Sequence, residues 1–192
     1  MGFSAGVVEK LVATAVLSCR GLFYHDAVSR VRRLLVTDRI FFVTVNLRRR
    51  IPFLKAEEFP LVVEALADSR QRMKFLLCGY VVMPDHWHAL IWPRSPLTIS
   101  RAVQSVKWHA ARLLNRKRGR ARELWQHQFW DRFLRHEKEL AERLDYMHHH
   151  PVRRGLAKRP QDWRWSSYNN FSLQKPRVAA CPVQIDYVRA PG

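Results

Sequence analysis

Apolar positions change period several times along the chain, and each change marks an element. Residues 39–47, RIFFVTVNL, are almost entirely β-branched or aromatic and predict a strand. Arg48, Arg49 and Arg50 follow, and Pro52 ends the run. Across 56–73, Phe59, Val62, Val63, Leu66 and Ala67 recur at helical spacing. Glu57 and Glu58 sit in the first turn of that helix, and Pro60 is near enough to its start to be tolerated. Residues 75–82, FLLCGYVV, and 86–92, HWHALIW, predict two strands. Only Met83-Pro84-Asp85 separates them, so they are antiparallel neighbours. Ile99, Val103, Val106, Ala110, Leu113 and Leu114 give 98–118 one apolar helical face. Residues 129–135, FWDRFLR, predict a fourth strand. A last amphipathic helix over 137–149 is ended by Pro151 and, further on, Gly155. The order β-α-β-β-α-β-α predicts an α+β class: a two-layer, ferredoxin-like domain, antiparallel sheet with helices packed on one face.

Composition adds a polyanion to this picture. The 192 residues carry 34 Lys plus Arg against 16 Asp plus Glu, a net charge of +18 that repels itself unless neutralised. With 47% hydrophobic and 11% aromatic residues the chain buries a core and is not a disordered basic tail. The charge is clustered: from Arg94 to Arg122 there are nine Lys or Arg and no acid. A solvated helix face mixes both signs, so a one-sign stretch of this length points to a phosphate backbone. Cys19, Cys78 and Cys181 are odd in number and lack C-x-x-C spacing, against a disulfide scaffold or a zinc ribbon and in keeping with a reducing cytoplasm. No stretch has the ~20 apolar residues of a membrane span. The apolar run 11–19, LVATAVLSC, lacks a charged leader and reads as a helical segment before the main domain, or as an artefact of an upstream start codon.

Two constellations carry chemistry. In His86-Trp87-His88, strand alternation puts both imidazoles on one face and Trp87 on the other, so the pair can share one metal ion. An isolated H-x-H is more often two unrelated histidines on a half-exposed strand. In Tyr146-Met147-His148-His149-His150-Pro151, Tyr146 and His150 are i and i+4 and share a helix face. A phenol, with a reference pKa near ~10, is a poor nucleophile unless a base or a metal assists it. The bland alternative for Tyr146 is an ordinary packed tyrosine.

In order along the chain, GYVVMPDHWHALIWP, SVKWHAARLLN, LWQHQFWDRFLRHEKEL, DYMHHHPVRRGL and DWRWSSY resemble the single-tyrosine HUH transposases, and more closely the REP-associated tyrosine transposases. The resemblance covers about 39–170 as the transposase domain, leaving 1–38 as a partly helical extension and 171–192 as a tail. It implies that His86 and His88 are metal ligands, that Tyr146 is the nucleophile, and that the polar residue four positions on completes the metal site. That residue is His150 here, where the family pattern usually has Asn, a departure that shifts preference from Mg²⁺ towards Mn²⁺. His148, about 200° around the helix from Tyr146, is assigned to structure or DNA contact.

The implied activity is cleavage and rejoining of single-stranded, hairpin-containing DNA through a 5′-phosphotyrosine. The implied actor is a cytoplasmic, nucleoid-associated monomer or homodimer. Arg101, Lys107, Arg112, Arg116, Lys117, Arg153 and Arg154 would grip the strand. Trp108, Trp125, Trp130 or Trp165 could stack bases, with core packing the fate of at least half of them. Two rival functions fit the composition: a non-catalytic binder of structured DNA or RNA, and a hydrolytic nuclease that uses water in place of Tyr146.

Overall fold

The computed structural model describes residues 38–172 and 182–188. The apolar run 11–19, Cys19 and Cys181 lie outside the described residues. Strand β1 is Phe41–Asn46, helix α1 Phe59–Met73, β2 Leu76–Val82 and β3 His86–Trp92. Helix α2 is Ile99–Lys117, β4 Trp130–Phe133, α3 Glu137–Arg153 and α4 Tyr168–Ser172. The four strands form one antiparallel sheet in the order β2-β3-β1-β4, the split order that a ferredoxin-like βαββαβ chain generates. The α+β class is the one the element order predicts, with α1 and α2 on one face of the sheet and α3 on the other.

Local chemistry explains the element ends. A 3₁₀ turn, Ala56–Glu58, leads into α1, where Pro60 occupies the first turn. Lys74 closes α1 in the left-handed region, its N–H bonded to Arg70 O. Thr98 caps α2 by accepting from Arg101 N. Residues 129 and 134–135, expected in the fourth strand, lie outside its ladder with β1.

The last helix departs from expectation at its end. Pro151 does not stop it; α3 runs on to Arg153, taking His150 with it. Proline's fixed φ is helical, so in the final turn it costs a single hydrogen bond, and its ring is buried. The stop is Gly155, with φ +67°: its N–H bonds Val152 O and the Leu156 N–H bonds Pro151 O. These two bonds make a Schellman closure.

Helices α1 and α2 pack along each other and form the helical layer on one side of the sheet. They bring Phe59, Val62, Val63 and Leu66, and Val103, Val106, Ala110 and Leu114, into one core with Val43, Val45, Trp87, Ala89 and Ile91. Arg118, just past α2, clamps Glu58 through hydrogen bonds of 2.5 and 2.6 Å. Every residue of β3 except Trp92 is buried, so its histidine-bearing face is covered too. That cover comes from α3. A Cβ on Gly79, which pairs with Leu90 on that face, would lie 2.7 Å from Leu144 and 3.1 Å from Met147.

The free edge of β2 is also occupied. Val82 N–H donates to Trp165 O and Ser167 N–H to Tyr80 O. Farther along, Asp186 N–H donates to Leu77 O, while its carboxylate takes the Leu77 N–H and a two-pronged contact from Arg70. Part of the tail, at Asp186, is thus built onto the sheet. No helix among the described residues is long and apolar enough to cross a membrane.

Candidate active site

Strand β3 starts one residue after Asp85, and its alternation sends His86 and His88 to the same face, with Trp87 fully buried on the other. Both imidazoles are buried. Their Nε2 atoms lie 3.1 Å apart and their Nδ1 atoms point to separate partners. His86 Nδ1 is 2.6 Å from Asp85 Oδ1. A carboxylate only accepts, so the proton of His86 sits on Nδ1 and the Nε2 lone pair faces inward. His88 Nδ1 is hydrogen-bonded to Thr44 Oγ1 at 2.8 Å, across the β1–β3 ladder where the two residues pair.

Helix α3 brings the other half of the site. His150 packs against both histidines, with ring centroids 5.0 Å from His86 and 5.1 Å from His88. One turn earlier, the half-buried Tyr146 ring lies 5.2 Å from His150 and 5.8 Å from His88. The spacing i, i+4 that put them on one helix face is what delivers both to the strand. Arg153 adds a cation 5.6 Å from the tyrosine ring centroid. Arg154, at the end of α3, reaches Asp85 Oδ2 at 3.0 Å and ties the helix end to the break before β3.

Electrostatics keep His88 and His150 neutral. Burial, then the neighbouring His86 and His150, hold His88 well below the usual imidazole range. Burial and the His86 and Arg154 charges bring His150 down to about 3. At Asp85 burial pushes upward, but the His86 hydrogen bond and the His86 and Arg154 charges win, leaving its carboxyl at about 2. A neutral imidazole has the lone pair a metal needs, and an ionised Asp85 fixes which nitrogen offers it.

The donor set fits a cation. One ring nitrogen from each of His86, His88 and His150 lies within 4.8 Å of the others. Two nitrogens bound at ~2.0–2.1 Å to one ion stand about 3 Å apart, the separation seen between His86 and His88. His150 Nδ1 is buried without a hydrogen-bond partner, a polar atom in want of a ligand. These three residues could hold one metal ion.

The remaining sequence-derived residues fall into two groups. Arg101, Arg112, Arg116, Lys117 and Arg153 are exposed. Lys107 Nζ instead donates to the carbonyls of Gln126 and His127, and Arg154 is the ion-pair partner of Asp85. His148 is buried with its Nε2 bonded to Ser167 Oγ at 3.0 Å, a structural position. Trp125 is buried and Trp165 packs on Phe59, whereas Trp108 and Trp130 are exposed. Sequence reasoning missed Asp85, Thr44 and Arg154 as the groups that orient the histidines. Asp85 was detectable, because a carboxylate next to H-x-H is a ready second partner for a ligating imidazole. Thr44 needed the strand register.

The chain is 29% identical over 146 residues to the REP-associated tyrosine transposase of Escherichia coli, covering 73% of this chain and 83% of that protein. A relative from Haemophilus influenzae is 26% identical over 151 residues, covering 73% and 86%. A solved structure of a REP-associated tyrosine transposase bound to a REP hairpin has the same fold. Its TM-score is 0.66 at 23% identity, over 85% of this chain and 98% of that one. The family model described as "Transposase IS200 like" matches residues 39–135, from the start of the sheet through β4. That match spans half of the chain with the histidine strand inside it, and the chain belongs to the IS200-like transposase family.

Proposed function

We propose that this protein cuts and rejoins single-stranded DNA next to a hairpin, through a covalent 5′-phosphotyrosine at Tyr146. The observation that carries this reading is the packing of Tyr146 beside three histidines whose ring nitrogens converge. The hairpin is carried over in kind, not in sequence, from the REP hairpin of the structural relative.

A divalent ion, Mg²⁺ or Mn²⁺, held by His86, His88 and His150 would supply Lewis-acid polarisation of the scissile phosphate. The rest falls to the chain's own residues. Asp85 keeps the His86 proton on Nδ1, and Thr44 orients His88. Arg101, Arg112, Arg116 and Lys117, on the helix layer across the sheet from the histidines, bind DNA phosphates away from the scissile one, and Arg153 adds the cation beside the nucleophile. The Tyr146 phenol loses its proton to solvent as its oxygen attacks phosphorus in line, the bond to the 3′ oxygen breaks, and that oxygen takes a proton from solvent and leaves as a 3′-OH. The strand beginning at the 5′-phosphate stays on Tyr146. A 3′-OH attacking the phosphotyrosine reverses the step, so one phosphodiester is exchanged for another without ATP. Tyr146 and the histidines belong to one chain, which supports cutting by a monomer.

A labelled single-stranded hairpin oligonucleotide, incubated with protein and Mn²⁺ and run on a denaturing gel, tests the reading. The expected result is a band shifted by the mass of the protein. Cleaved DNA with no protein attached would favour a hydrolytic nuclease, and binding without cleavage a silent binder.

A further inference from the structure

Thr44 on β1 pairs with His88 on one side and with Trp130 of β4 on the other. Residues paired across a ladder point to the same face. Trp130 therefore stands on the histidine face of the sheet, two strands from His88, at about 10 Å by strand spacing. The rings between them are in contact. Phe42 stacks on His88 with centroids 5.2 Å apart and meets Trp130 edge-on at 5.7 Å. Phe42 and His88 are buried, but Trp130 is 50% exposed. The row of rings thus starts in the candidate active site and ends on an indole open to solvent. Arg143 lies over Phe42 at 5.4 Å, so a cation accompanies the row.

We propose that Trp130 is a stacking platform for an unpaired base a nucleotide or two from the scissile phosphate, and so sets where the strand enters the site. The inference rests on the proposed DNA-cutting function and specifies its substrate contact. A paired base has both faces already stacked in its helix, whereas an unpaired base offers a free π-face, which an exposed indole matches without regard to base identity. The charge of Arg143 beside the row suits the phosphates that join such a base to the scissile one. Trp108, also exposed, already has the Arg112 guanidinium over its ring at 5.3 Å.

The test uses the full chain and hairpin oligonucleotides with short thymidine flanks. In each, one flank position carries 2-aminopurine or an abasic site. For the wild-type protein, one flank position should show quenched 2-aminopurine fluorescence, and an abasic site there should weaken binding about 10-fold, within the range of a base–aromatic stack. Trp130→Ala should lose both effects at that position while still binding the hairpin, and Trp130→Phe should restore most of both. Trp130→Ala with an unchanged quenching pattern would overturn the proposal while leaving the DNA-cutting reading intact. So would a concentration-dependent wild-type dimer that Trp130→Ala abolishes, because the indole would then serve self-association. Failure of the wild-type chain to bind any of these oligonucleotides would overturn the DNA-cutting reading itself, and this inference with it.

Discussion

His86 and His88 face each other through their Nε2 atoms at 3.1 Å, while Asp85 and Thr44 hold the opposite nitrogens. With the His86 proton committed to Asp85, the inward lone pair calls for a proton or a cation between the rings. Mn²⁺ should therefore stabilise the native chain. At a hundredfold excess over Kd the gain is about 2.7 kcal/mol, or several degrees in Tm. Thermal unfolding with and without Mn²⁺ reads it. The double variant His86→Ala/His88→Ala should show no shift, and an equal shift there would place the ion elsewhere.

Asp85 is the next group to remove. Asp85→Asn keeps the size of the side chain but takes away the charge that fixes the His86 tautomer and pairs with Arg154. Loss of a carboxylate behind a ligating histidine costs ~10–100-fold in metal affinity. Calorimetric titration with Mn²⁺ should show a loss of that order, with a folded protein by circular dichroism. An unchanged affinity would make Asp85 a structural anchor only.

Much of this architecture can be read from the sequence. The apolar runs around β1, β2 and β3 and the period-3.6 face of α2 fall where the pattern puts them, because each packs an uninterrupted apolar surface. The same alternation that separates His86 and His88 from Trp87 is visible in three letters. Three features are not local and escape. Pro151 is a helix breaker by propensity, yet a proline in the last turn loses one bond and is compensated by burial and by the Gly155 closure. Asp186 sits in a tail without periodicity, and only the fold shows that Arg70 and the β2 edge capture it. The charge stretch reads as uniform in sequence, but Arg118 is spent on Glu58 and Lys107 on backbone carbonyls.

Acid should unfold the metal-free protein early. Burial, then the His149 charge, hold the His148 imidazole at about 4, below its ordinary value of 6.5. Between those values the unfolded chain binds the proton that the folded chain refuses, so stability is complete above about pH 6.5 and falls as pH drops towards 4. The ceiling for this one residue is about 3 kcal/mol. His88 and His150 act in the same direction. Urea unfolding at pH 7.5 and pH 5 should show the loss, and His148→Gln should reduce it. Equal stability at both pH values would contradict the burial argument.

Binding of single-stranded DNA should weaken steeply with salt. Each phosphate neutralised adds about 0.7 to the slope of log K against log salt for a single strand. Removing one exposed cation, as in Arg112→Ala or Arg116→Ala, should lower that slope by about one phosphate contact while leaving the fold intact. Fluorescence anisotropy across a salt series measures it. A slope near zero would detach the basic surface from the nucleic acid.

The central claim is that Tyr146 forms the covalent bond to DNA. Wild-type protein and Tyr146→Phe, each incubated with a single-stranded hairpin oligonucleotide and Mn²⁺, digested with protease and examined by mass spectrometry, test it directly. The account predicts a nucleotide attached through phosphate to the peptide containing Tyr146 in the wild type. In Tyr146→Phe it predicts no adduct and no cleavage, with DNA affinity retained. Cleavage by Tyr146→Phe at a rate close to that of the wild type, or an adduct on another residue, would contradict it.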